Sequence, residues 1–166
     1  MKLFFATLLI GLTTLSFAQN KQTMPDLILK DMNGNNKNVA DYSKTGKITI
    51  ISFWATWCTP CKKELSNIHE LYDDWKEKYG LELVAVTVDN SRNVPKVKPY
   101  VNGQGWEYDI LLDVNSDLAR ALNVLAPPQT FLLDQNGNIV YSHLGYTEGD
   151  EFVLEEKIKA LMPAKK

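Results

Sequence analysis

Apolar and polar positions along the chain fall into two kinds of pattern. Lys47 to Trp54 and Leu81 to Asp89 are short, almost continuous apolar runs rich in Ile, Val and aromatics. Runs of that length without alternation predict central strands covered on both faces. Between them, Cys61, Leu65, Ile68, Tyr72, Trp75 and Tyr79 recur at spacings of four, three, four, three and four, while Lys62, Lys63, Asn67, Asp74 and Lys78 fall opposite. This period predicts one amphipathic helix of about twenty residues. Gly80 stands where a left-handed cap would end it.

The flanking segments are shorter. Leu27 to Lys30 and Lys37 to Val39 surround Asn33-Gly34-Asn35, which predicts a small N-terminal β-hairpin. After the second core strand come a helix from Asn93 to about Asn102, a strand from Tyr108 to Asp113 and a short helix from Ser116 to Leu122. A strand from Gln129 to Asp134 then turns through Gln135-Asn136-Gly137-Asn138 into Ile139 to His143, and a last helix runs from Gly149 to Leu161. Strands alternating with helices, followed by a hairpin and a helix, predict an α/β domain with helices on both faces of a mixed central sheet. Neither an internal repeat nor a linker divides it.

The first eighteen residues do not fit that domain. Lys2 precedes an apolar run from Leu3 to Phe17, and small residues stand at Ser16 and Ala18. This is the pattern of a secretory signal peptide, cut after Ala18 to leave a domain of residues 19–166. The run is shorter than the roughly 18–20 residues a spanning helix needs, so an uncleaved membrane anchor is the weaker alternative. A buried N-terminal helix would need an amphipathic period that the segment lacks.

Charge and cysteine usage narrow the chemistry. The 166 residues carry a formal net charge of only -2, which leaves no electrostatic footprint for nucleic acid or an anionic membrane. The chain has just two cysteines, Cys58 and Cys61. Exported proteins ordinarily use cysteines to join distant segments, whereas closing so small a loop constrains the unfolded chain little. The pair therefore points to redox chemistry.

Its placement gives a reason. At the start of a helix Cys58 would meet unpaired backbone N–H groups and the positive end of the helix dipole, which favour a thiolate and hence a nucleophile. Pro60 suits a first helical turn, where a missing N–H costs nothing. Cys61, nearly one turn on, would face the core and reach back to Cys58.

Phe53-Trp54-Ala55-Thr56-Trp57-Cys58-Thr59-Pro60-Cys61, closing a core strand and opening a helix, resembles the active site of thioredoxins. With the N-terminal hairpin, the extra helix and strand near residues 93–113 and the signal segment, the chain most resembles the TlpA/ResA-like exported branch of that family. The resemblance implies a thioredoxin fold and a thiol–disulfide oxidoreductase. Cys58 would attack a substrate disulfide, Cys61 would resolve the mixed disulfide, and Thr59-Pro60 would tune the potential. No metal or organic cofactor is implied beyond the Cys58–Cys61 disulfide.

Thioredoxins usually carry a buried Asp six residues before the first cysteine, where this chain has Ser52. In the ResA-like branch a Glu at the position of Glu64 takes over the exchange of the Cys61 proton; the plain alternative is a helix-surface glutamate beside Lys62 and Lys63. Pro128 matches the family's cis proline, which faces the disulfide, against a rigid trans turn as the alternative. The residue before it normally pairs its N–H and C=O with an extended substrate, but Pro127 has only the carbonyl. Trp57 is either an exposed docking platform beside Cys58 or a partly buried structural tryptophan. His69 and His143 have no other potential ligand close in sequence.

The family also implies partners: disulfides of exported proteins, with apocytochrome c among them, a membrane thiol-electron donor, a monomeric state and an extracytoplasmic, periplasmic-type location. Two rivals share the fold. A thiol peroxidase expects Thr three residues before its reactive cysteine, where Ala55 stands. A copper chaperone of this type spaces its cysteines by three residues, whereas here Thr59 and Pro60 give two. Within the favoured class the direction of electron flow is open, with a reductase expected from the resemblance.

Overall fold

The computed structural model describes residues 22–163, and the predicted signal segment lies outside them. Seven strands make one mixed sheet: β1 (Ile28–Asp31), β2 (Asn36–Asn38), β3 (Thr49–Trp54), β4 (Glu82–Thr87), β5 (Asp109–Leu112), β6 (Gln129–Leu133) and β7 (Ile139–Leu144). Their order across the sheet is β2-β1-β5-β4-β3-β6-β7. β3, β4 and β5 run parallel at the centre, and the antiparallel hairpins β1–β2 and β6–β7 close the two edges.

The continuous apolar runs are explained by what covers them. Every residue of β3 is buried, as is every residue of β4 after Glu82. Ile50 and Trp54 point into a core shared with α1 (Thr59–Tyr79), α2 (Val97–Gln104) and α4 (Asp150–Ala160). Ile51 and Phe53, of opposite parity, point into a second core with Val39, Tyr42, Leu118 and Ala119, the last two on α3 (Asp117–Ala121). On α1 the predicted stripe of Cys61, Leu65, Ile68, Tyr72 and Trp75 is buried, and Gly80, at φ 62°, ends the helix with its N–H donating to Lys76 O. Burying each large apolar side chain of that stripe contributes about 2 kcal/mol.

Two segments depart from the sequence reading. Val39 does not extend β2; Val39–Lys44 forms a 3-10 turn. The Asn38 side chain accepts the Ala40 N–H at 3.0 Å, giving the backbone a local partner in place of a strand ladder. Val39 and Tyr42 still reach the core, and the Tyr42 hydroxyl donates to Asp109 at 2.8 Å. The helix expected from Asn93 starts as a 3-10 turn at Val94–Lys96 and becomes α-helical at Val97.

The β6–β7 turn is fixed by Asp134, whose Oδ1 accepts the N–H groups of Asn136 (3.0 Å) and Asn138 (2.9 Å). Gly137 takes φ 77°, and a Cβ there would fall on the backbone of Ser43 in the 3-10 turn. Gly137→Ala is therefore expected to cost about 2 kcal/mol or more, through both strain and steric conflict. Denaturant melts of the two proteins check this.

Candidate active site

β3 ends at Trp54 and α1 begins at Thr59, so a few residues must turn the chain back over the sheet. Cys58 is the helix N-cap, with an extended backbone (φ −90°, ψ 99°) and its sulfur accepting the Cys61 N–H at 3.3 Å. Pro60 lies in the first turn, where it gives up no helical hydrogen bond. The two sulfurs form a disulfide across a Cα separation of 5.4 Å. Cys58 keeps 5% of its surface and Cys61 none, while Thr59 and Pro60 are exposed. An incoming thiolate therefore reaches Cys58 first.

The turn itself is clamped by a residue not singled out from the sequence. Asp89, just beyond β4, has no exposed surface. Its carboxylate accepts the Thr56 N–H, the Thr56 hydroxyl and the Thr87 hydroxyl, each at 2.7 Å. Cys58 N–H closes the same turn by donating to Ala55 O at 3.0 Å. The signal was present in the sequence as a carboxylate at the end of a buried strand, since such a group needs several donors.

Three residues after Cys61 lies Glu64, on the buried stripe of α1 and only 4% exposed, so it is not a helix-surface glutamate. Thr130 on β6 donates its hydroxyl to Glu64 Oε1 at 2.7 Å. Burial pushes the Glu64 carboxyl up to about 7; the Thr130 hydrogen bond opposes the shift, and the nearby charge of Asp150 adds to it. Ser52 is wholly buried and near enough to favour the charged form, yet neither its Oγ nor Glu64 Oε2 has a partner in hydrogen-bond geometry.

Just before β6 the Pro127–Pro128 peptide bond is cis. Pro127 is half-buried and Pro128 buried, and Pro128 O accepts the Gly145 N–H at 2.8 Å. Trp57 is 59% exposed, and Trp54 is fully buried in edge-on contact with Trp106. His143, with no potential ligand close in sequence, meets one in space. Its Nε2 lies 3.2 Å from Asp150 Oδ2, because the turn between β7 and α4 folds Asp150 back over the strand.

This arrangement, two cysteines at a helix start beside a cis proline, invites comparison with known proteins. The model of the AhpC/TSA family matches residues 21–142. The chain belongs to that family. Among its curated relatives, the thiol-disulfide oxidoreductase ResA of Geobacillus kaustophilus is 36% identical over 117 residues, covering 70% of this chain and 64% of the relative. The ResA of Bacillus thuringiensis subsp. konkukian is 30% identical over 139 residues, covering 84% of this chain and 76% of the relative. An uncharacterized thioredoxin-like protein from Porphyromonas gingivalis, solved in solution, is 46% identical with a TM-score of 0.74, covering 83% of this chain and 90% of that one. The thioredoxin fold and the kinship with ResA-like thiol–disulfide oxidoreductases, both expected from the sequence, hold.

Two expectations follow from the site. Replacing Asp89 by Ala orphans three buried donors and should cost about 3 kcal/mol, read as a lower denaturation midpoint; an unchanged midpoint would remove the clamp. For Glu64, a folded pKa near 7 against 4.5 unfolded means that the folded state holds the extra proton between those values, so its contribution to stability is present below about pH 4.5 and is lost as pH rises through 7. The loss amounts to about 3 kcal/mol. Glu64→Gln should therefore stabilise the oxidised protein at pH 8 and leave it nearly unchanged at pH 4, as thermal melts at the two pH values will show.

Proposed function

We propose that the protein is an extracytoplasmic protein-disulfide reductase whose redox unit is the Cys58–Cys61 pair itself, with no other cofactor. The observation that carries this reading is the asymmetry of the pair: Cys58 caps the helix N-terminus and keeps 5% of its surface, whereas Cys61 is fully buried on the stripe that holds Glu64. In the reduced enzyme the Cys58 thiolate attacks one sulfur of a substrate disulfide and expels the other as a thiolate. Glu64 then accepts the Cys61 proton, and the Cys61 sulfur attacks Cys58, releasing the second substrate thiolate. Two electrons pass from the dithiol to the substrate, and the enzyme is left as the disulfide. A carboxyl group titrating near 7 suits both acceptance and return of that proton at neutral pH.

The surroundings support the assignment of roles. Thr59 and Pro60, between the sulfurs, set the potential; exposed Trp57 and half-buried Pro127 line the approach to Cys58, and buried Pro128 holds the start of β6 against it. Pro127 offers a substrate backbone a carbonyl and no N–H. The predicted signal segment supports an extracytoplasmic site of action. Clients are then disulfides of exported proteins, apocytochrome c among them by the kinship with ResA, and a membrane thiol carrier would return the electrons.

The decisive measurement is the potential of the Cys58/Cys61 couple together with trapping. A value near that of thioredoxin, about −270 mV, is expected for a reductase, whereas one near −120 mV would make the protein an oxidase. Cys61→Ser should accumulate exported proteins joined to Cys58 in mixed disulfides, and cells that yield no such adducts would count against the mechanism.

A further inference from the structure

Resting on the role proposed for Glu64, a second requirement arises. A base that takes the Cys61 proton has to give it up before the next cycle. Glu64 is buried, and its Oε1 accepts from Thr130, so its proton has to leave through whatever space meets the carboxyl inside the protein.

A small cavity meets Glu64, lined by Thr130, Tyr141, His143, Asp150 and Glu151 among others, with none of Cys58, Cys61, Trp57, Pro127 or Pro128 in its wall. Its interior space of about 10 Å³ holds roughly one water. The strand register explains the lining. Thr130 pairs with His143 across β6 and β7, so the two side chains share a face of the sheet, and Tyr141, two residues before His143, stacks on it at 6.5 Å. The outer end is wet: the side chains of His143 and Asp150 are 37% and 29% exposed and lie 3.2 Å apart. Glu151 is engaged elsewhere, by the Tyr146 hydroxyl at 2.8 Å and the Gly149 N–H at 3.0 Å, so it is the less available carrier.

We propose that this cavity is the proton port of Glu64, in which one water passes the proton between the Glu64 carboxyl and the His143–Asp150 pair at the surface. When Cys61 attacks Cys58, its proton moves to Glu64, then through the water to His143, and from there to solvent, returning Glu64 to the carboxylate. In the reverse direction the same path delivers a proton to the Cys61 sulfur. The groups facing the water are Glu64 of α1, Thr130 of β6, Tyr141 and His143 of β7, and Asp150 and Glu151 of α4. His143 is a positioning and relay residue that never touches substrate.

The test is multiple-turnover reduction of a disulfide peptide, with the protein recharged by a small dithiol, in dilute, non-imidazole buffer, for the wild type, His143→Ala and Glu64→Gln. The steady-state rate of peptide-thiol release should be slowed about tenfold or more in His143→Ala and restored by added imidazole. Glu64→Gln should be slow with or without imidazole. A His143→Ala protein as fast as wild type in dilute buffer overturns the port, as does one that is slow and unrestored by imidazole, since a packing defect has no such rescue. Asp150→Asn, which leaves the ring in place, should show a smaller slowing of the same kind; wild-type behaviour there with a slow His143→Ala would confine the relay to the histidine and refute the pair. A Glu64→Gln protein as fast as wild type would instead refute the role of Glu64 itself, which separates the two failures.

Discussion

A helix that begins where a fully buried strand ends leaves its first backbone N–H groups without partners and points them at whatever the connecting turn presents. That junction between β3 and α1 is the constraint on which the molecule depends. Burial on both faces fixes β3, and the stripe from Cys61 to Trp75 fixes α1 over the sheet. The turn between them is left with one arrangement, in which Cys58 caps the helix and Cys61 faces inward. The Asp89 clamp on Thr56 holds the last free piece of that turn to the end of β4. The slightly accessible Cys58 and the fully buried Cys61 thus follow from packing at a distance from either.

Much of this was legible in the sequence because the determining patterns are local. The period of α1, the doubly buried runs of β3 and β4, the Asn-Gly turns and the helix-starting cysteine pair each act within a few residues. What escaped reading depends on register. Glu64 was visible as a charge on an apolar stripe, but its partner Thr130 is known only once β6 is placed antiparallel to β3, with Ser52 opposite Thr130. The pairing of His143 with Asp150 depends on how the chain turns between β7 and α4. Val39 was misread as strand because an Asn side chain, satisfying one N–H, redirected the backbone from a strand that hydrophobicity alone permitted.

Asp89 and Glu64 show two ways to keep a carboxyl group inside the protein. Asp89 is surrounded by three donors at 2.7 Å, which replace its hydration. Glu64 has one donor at 2.7 Å and an unpartnered oxygen, with the charges of Asp150 and Glu151 nearby. The first environment suits a permanent structural acceptor. The second leaves the charged and neutral forms close in free energy at neutral pH, as a proton carrier requires.

That balance explains why the less stable arrangement would be retained. Filling the space around Oε2 with a second donor would stabilise the carboxylate and lower its pKa, removing its capacity to hold a proton at pH 7. Removing the carboxyl altogether would recover about 3 kcal/mol at alkaline pH, at the expense of the base. Thr130 sits between these extremes: its hydrogen bond orients Oε1, while Oε2 is buried and has no partner in hydrogen-bond geometry. The cavity against Glu64 is therefore more than a packing fault. Closing it with a larger apolar side chain would leave the carboxyl buried while removing the space that the proposed water needs, and so would separate the energetic cost of burying Glu64 from the use proposed for it.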